Sequence, residues 1–167
     1  AVFNSNDIYP ISADSTMPFE QHRDILYLSG VDQEESILVL FPDCPKEKHR
    51  EILFLKETNE HIAVWEGAKL SKVQATAATG IETVYWLSEF DRVIKELMSQ
   101  TKNVYLLTQE HLRRSTPVET REMRMNKNFR SSYPVHNYFR SAPLLNSLRA
   151  VKSDLEIPEN SSKFISK

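Results

Sequence analysis

Five histidines (His22, His49, His61, His111 and His136), one cysteine (Cys44) and a basic run near the carboxyl end are the residues of this 167-residue chain whose types could do chemistry. No two histidines, and no histidine with the cysteine, stand at the short spacings that hold a zinc ion, and H-E-x-x-H is absent. Each histidine therefore reads as solvated or structurally bonded. No serine occupies a G-x-S-x-G elbow, and Cys44 lies in the turn Pro42-Asp43-Cys44-Pro45, where the neighbouring carboxylate disfavours a thiolate. The three glycines, Gly30, Gly67 and Gly80, are too far apart to form a glycine-rich phosphate loop, which excludes Rossmann and P-loop nucleotide binding.

The run Arg113, Arg114, Arg121, Arg124, Lys127 and Arg130 could touch phosphates, yet Glu119 and Glu122 interrupt it and no aromatic interleaving supports base stacking. With 21 basic against 23 acidic side chains and a net charge of -2, the run reads as a solvated helix face, and nucleic acid is not an expected partner. Apolar stretches such as Ser36 to Phe41 fall far short of the ~20 residues that cross a bilayer, so no membrane association is expected. A single cysteine excludes an intramolecular disulfide and suits a reducing compartment, which makes the cytoplasm the expected location. The opening Ala1-Val-Phe-Asn-Ser-Asn6 resembles the end of a strand rather than a signal peptide, and the chain is expected to be cut from something longer.

The elements that must position these residues follow from the apolar pattern. Ile25 to Leu28, Ile37 to Phe41, Ile52 to Leu55 and Val104 to Leu107 are short apolar runs bounded by turns or charges, which predicts strands covered on both faces. Short loops between the first three suggest an antiparallel meander. Ser71 to Thr79 predicts a helix stopped by Gly80. Ser88 with Asp91 resembles a capping box, and Phe90, Val93, Ile94, Leu97 and Met98 fall on one helical face behind it. A strand over Lys102 to Thr108 would complete a crossover between parallel neighbours. Thr116 and Pro117 predict a further helix reaching to about Asn128. Ser131 to Pro143 reads as an extended connector, and Leu144, Leu145, Leu148 and Val151 again have helical spacing. The fold class expected is α/β: a three-layer α/β/α domain with a mixed sheet of about six strands.

Several segments, in order, resemble one family. Asn4-Ser-Asn-Asp7, Ser12-Ala13-Asp14, Pro18-Phe19-Glu20-Gln21 and Asp24-Ile-Leu-Tyr-Leu-Ser-Gly30 are followed by Glu34-Glu-Ser-Ile-Leu-Val-Leu40, Val64-Trp65-Glu66-Gly67 and Leu148-Arg149-Ala-Val-Lys-Ser153. Together they resemble the amino-terminal domain of Xaa-Pro aminopeptidases, the aminopeptidase P group of the creatinase and prolidase superfamily. Two departures stand out: the usual helix before the first strand is missing, and Pro158-Glu159-Asn160 breaks the helix that continues in relatives.

The resemblance implies an amino-terminal domain over 1–143, with 144–167 as a linker and the start of an absent catalytic domain of the pita-bread fold. In relatives that second domain binds two metal ions, usually manganese, through two Asp, one His and two Glu, and activates a bridging water for hydrolysis of the bond before proline. No catalytic residue, metal ligand or cofactor is then expected in this chain. Implied partners are its own catalytic domain, further copies in a homo-oligomer, and peptide substrates with proline at the second position. Three positions match residues that approach substrate: Asp14 for a cationic amino terminus, Trp65 as an aromatic contributed across a subunit interface, and Arg149 for peptide carbonyls or carboxylates. An Asx-turn acid, ordinary packing and a solvated helix arginine are the competing readings of the three. The function expected is an oligomerising and substrate-gating domain of a metal-dependent Xaa-Pro aminopeptidase. Alternatives are the corresponding domain of a creatinase-like or prolidase-like hydrolase, or a non-catalytic peptide- or protein-binding module.

Overall fold

Residues 1–12, 15–59, 69–108 and 118–151 are described by a computed structural model. Strands β1 (Val2–Asn4), β4 (Ile37–Leu40), β5 (Glu51–Leu55), β6 (Thr83–Trp86), β7 (Asn103–Leu106) and β8 (Asn137–Arg140) build one sheet in the order β6-β5-β4-β1-β7-β8. β2 (Pro10–Ser12) and β3 (Ser15–Thr16) pair separately as a small hairpin. β4 is antiparallel to both β1 and β5, with Val2 opposite Val39 and Leu38 opposite Leu53, whereas β5/β6, β1/β7 and β7/β8 are parallel. The sheet is mixed, as its patterning predicts.

Alternation along these strands sends successive side chains to opposite faces. Val2, Ile37, Val39, Ile52 and Phe54 meet Val93, Ile94, Leu97 and Met98 of α3 (Phe90–Met98) and Phe129 of α4 (Arg121–Ser132) on one face. Phe3, Leu38, Leu53 and Leu55 meet Ile25 of α1 (Arg23–Ser29), Ala75 of α2 (Lys72–Thr79) and Leu145 of α5 (Ala142–Ala150) on the other. The result is three layers with two cores, and each fully buried aliphatic side chain contributes about 1.5–3 kcal/mol. Leu38, Phe54, Val93, Ile94, Leu97 and Leu106 are buried, while Leu40 is half-buried at the strand end.

Several local expectations need correction. Ile25 to Leu28 is helical in α1, because His22 Nδ1 accepts the Asp24 N–H at 3.2 Å and Gly30 (φ 71°) stops the chain in the left-handed conformation. A short apolar run carries no period of its own, so caps decide between helix and strand. Of the expected antiparallel meander only the β4/β5 pair remains: β1 takes the third antiparallel place, but β2, β3 and α1 separate it from β4 in the chain. β6 and β7 run in the same direction without being neighbours: β5, β4 and β1 lie between them, and α3 crosses that span on its apolar face. The helix-linked parallel neighbours are β5-α2-β6 and β7-α4-β8.

Ser88 does not cap α3. Its hydroxyl donates to Glu57, and the Glu89 carboxylate accepts the Trp86 N–H at 3.1 Å instead. The helix predicted from Pro117 begins at Arg121, with Thr120 as its cap accepting the Met123 N–H at 3.3 Å; Thr116 and Pro117 lie outside the described residues. The connector after Ser131 contains the edge strand β8, whose Asn137 to Arg140 pair with Asn103 to Leu106.

Candidate functional site

Since only β4 opposes the rest, the carboxyl ends of β1, β5, β6, β7 and β8 lie along one edge of the sheet. Open α/β sheets carry ligands outside the carboxyl ends of their strands, in the crevice that opens where the loops diverge. The segment after β1 carries Asp7 there, and the start of α4 stands beside it. Asp7 Oδ2 accepts the Arg121 backbone N–H at 2.6 Å, while Oδ1 pairs with Arg124 Nη2 at 2.5 Å. A cleft of about 370 Å³ opens between them, lined by Asn6, Asp7, Tyr9, Glu20, Arg121 and Glu122 among others. Burial pulls the Arg121 guanidinium below its ordinary pKa, against the opposing pull of Glu35 and Asp7.

The loop from Gly30 to Ser36 forms one wall of this edge. Gln21 Nε2 donates to the Val31 and Gln33 carbonyls at 3.0 and 2.9 Å, which holds the loop from inside. Glu35 adopts φ 53°, a conformation that costs a residue with a Cβ about 1–2 kcal/mol. Its carboxylate meets Lys56 Nζ at 3.0 Å, and Glu34 pairs with Lys69.

Arg149 is the one substrate candidate within the described residues; Asp14 and Trp65 lie outside them. It stands in the last turn of α5, with Nη2 2.6 Å from Asp24 Oδ1 and the guanidinium 5.5 Å from the Tyr27 ring centre. Asp24 and Tyr27 are three apart on α1 and so share a face. An ion pair with this much solvent contributes under about 1 kcal/mol, so orientation of Arg149 is its larger effect. Asp24 falls inside the Asp24-to-Gly30 segment already singled out, but nothing in sequence spacing connects it to a residue 125 positions away.

The described histidines have structural partners or burial. His22 caps α1, and burial lowers its pKa, opposed by the Asp24 charge and reinforced by Arg149. His136 Nε2 lies 2.9 Å from the Met98 carbonyl, and His49 is buried. Cys44 is fully buried. Among the described residues no group of three or more His, Cys, Asp or Glu side chains could hold a metal ion. The metal pair implied by the resemblance has no fitting donor set among the described residues.

The description of the aminopeptidase P N-terminal domain matches residues 1–105. The chain belongs to this family. Among curated relatives, the aminopeptidase P domain matches human and mouse Xaa-Pro aminopeptidase 3 at 32% and 30% identity over 103 residues, 60% of this chain. That stretch spans only 20% of either relative. The fold likeness to solved structures covers 93% of this chain. A Bacillus anthracis protein assigned as an aminopeptidase P has a TM-score of 0.77 at 24% identity, with 37% of its chain covered. Aminopeptidase P from E. coli in its low-pH form has a TM-score of 0.69 at 21% identity, with 36% covered. One related E. coli structure is zinc-substituted and holds product. Among the described residues of the aminopeptidase P domain, no helix is long and apolar enough to cross a membrane.

Proposed function

We propose that this domain serves a metal-dependent Xaa-Pro aminopeptidase as its oligomerising and substrate-gating part. The family match over residues 1–105 is the observation that carries the reading. A rigid three-layer domain with its loops gathered at one sheet edge suits such a role, because a wall that admits only a narrow free amino terminus needs positioned side chains rather than reactive ones. Hydrolysis belongs to a catalytic domain reached through the segment after α5, with two manganese ions held by residues of that domain. The division at 1–143 and 144–167 is part of the proposal, as is a cytoplasmic setting, which the lone buried Cys44 supports. Partners are the catalytic domain, further copies of the chain and peptides with proline at the second position.

In this reading Asp14 faces the substrate's cationic amine, Arg149 faces peptide oxygens, and Trp65 lies against the proline ring in a neighbouring subunit's site. The test uses the full-length enzyme. Trp65→Ala should chiefly reduce kcat/KM for proline peptides, by the loss of one aromatic contact of ~1 to 3 kcal/mol. A subunit carrying Trp65→Ala with an intact metal site, mixed with a metal-dead subunit carrying Trp65, should recover activity at their shared interface. Absence of recovery although subunit exchange is demonstrated removes the gating role in trans. Absence of any Xaa-Pro turnover by the metal-loaded wild type favours a different hydrolase or a binding module.

A further inference from the structure

The Arg149 guanidinium is gripped along one edge only. Nη2 donates to Asp24 Oδ1 at 2.6 Å, the Tyr27 ring lies under the group at 5.5 Å, and no other hydrogen bond or ion pair of this guanidinium is present among the described residues. Its side chain keeps 36% of its exposure, against 17% for Asp24. An arginine has five N–H donors in a rigid plane, so fixing one edge against a carboxylate and the plane against a ring aims the remaining edge outward. Both Asp24 and Tyr27 stand on α1, itself held at one end by His22 and at the other by Gly30. The grip is thus part of the rigid domain, while Arg149 stands on the last described helix.

We infer that Asp24 and Tyr27 are positioning residues that preorganise Arg149 to receive a peptide oxygen, a backbone carbonyl or the terminal carboxylate of a short substrate. This deepens the proposed function and rests on it. A free arginine side chain would lose rotamer freedom when it binds; a gripped one has lost it already, so the effect falls on substrate binding rather than on the chemical step.

The test is steady-state kinetics of the full-length enzyme on a proline peptide with a free carboxyl terminus and on the same peptide as its amide. Asp24→Asn and Arg149→Lys should each raise KM by about tenfold with kcat changed less than twofold, and the double variant should be no worse than either single one, since both remove the same interaction. Asp24→Glu should restore part of the loss. A defect confined to the free-acid peptide identifies the terminal carboxylate as the ligand, and a defect on both peptides identifies a carbonyl; either supports the inference. An Asp24→Asn enzyme that melts earlier but keeps its KM overturns it and leaves the pair a purely structural clasp. So does an Arg149→Lys defect that Asp24→Asn does not share. Should Asp24→Asn not fold, Tyr27→Leu carries the same comparison, with a raised KM supporting and an unchanged KM overturning. A metal-loaded wild type with no turnover of either peptide overturns the proposed function and this inference together.

Discussion

Asp7 and Arg124 meet across 117 positions of sequence, with Arg124 Nη2 2.5 Å from Asp7 Oδ1. The second oxygen of that carboxylate accepts the Arg121 N–H, so a residue from the loop after β1 closes the amino end of α4. The first N–H groups of a helix have no partner within it and carry partial positive charge, which makes an outside carboxylate an effective cap. Asp7→Ala is expected to lower stability by about 1–2 kcal/mol, read as a lower urea midpoint at unchanged slope. Asp7→Asn, which keeps an acceptor, should lose less. A midpoint equal to wild type for Asp7→Ala would show that Thr120 alone holds this helix end.

That contact also marks where sequence reading stops. Gly80 and Ser71 bracket α2 as their types predict, and the face of α3 is buried at the four positions Val93, Ile94, Leu97 and Met98, because local caps and period are written in neighbouring residues. Sheet order is not: the slots between β6 and β7 are filled by strands from elsewhere in the chain, and no local pattern encodes that. The same holds for the site. Arg149 was legible as a candidate through resemblance, whereas its partner Asp24 becomes visible only once α1 and α5 are side by side. Thr116 misplaced the start of α4 because Thr120, four residues on, is an equally good cap and has Asp7 beside it.

The α3 face gives a direct energetic check. Ile94 and Leu97 are 4% and 3% exposed within the core formed with Val2, Val39 and Phe54. Truncating either to alanine removes transfer energy and leaves a cavity that the packed sheet cannot fill, so each should cost ~2 to 5 kcal/mol. Denaturant midpoints within error of wild type would show that the helix face is not packed in this way.

Gly80 isolates backbone strain from crowding. It ends α2 with φ 75°, its N–H donating to the Thr76 carbonyl, and a Cβ built there would meet nothing within 4 Å. The cost of Gly80→Ala is therefore conformational alone and should be about 1 kcal/mol. Gly80→Asn, which tolerates the left-handed region better, should cost less. Thermal melts of the two variants would separate them, and a loss of several kcal/mol for alanine would point to a clash that the geometry does not contain.

Acid sensitivity should centre on His49. The ring is 3% exposed, and Nδ1 has no hydrogen-bond partner among the described residues. Burial lowers its pKa from the ordinary 6.5; Glu96 opposes that shift, while Lys46, Lys48 and Arg92 reinforce it. His22 shifts in the same direction, burial being the largest cause. A histidine whose folded pKa lies below its unfolded value keeps its full stabilising contribution above about pH 6.5, where both states are neutral. As pH falls below that point the unfolded chain takes up the proton first, and stability declines until the folded ring is protonated too. The decline is at most about 1.4 kcal/mol per pH unit for each such histidine. The histidine contribution to the urea midpoint should therefore decline as pH drops below about 6.5, the direction set by these downward shifts. His49→Gln, which cannot titrate, should shrink that fall, and His22→Asn, which keeps a capping side chain, should shrink it further in the double variant. If His49→Gln loses as much stability over this drop in pH as wild type, the acid sensitivity resides elsewhere in the domain.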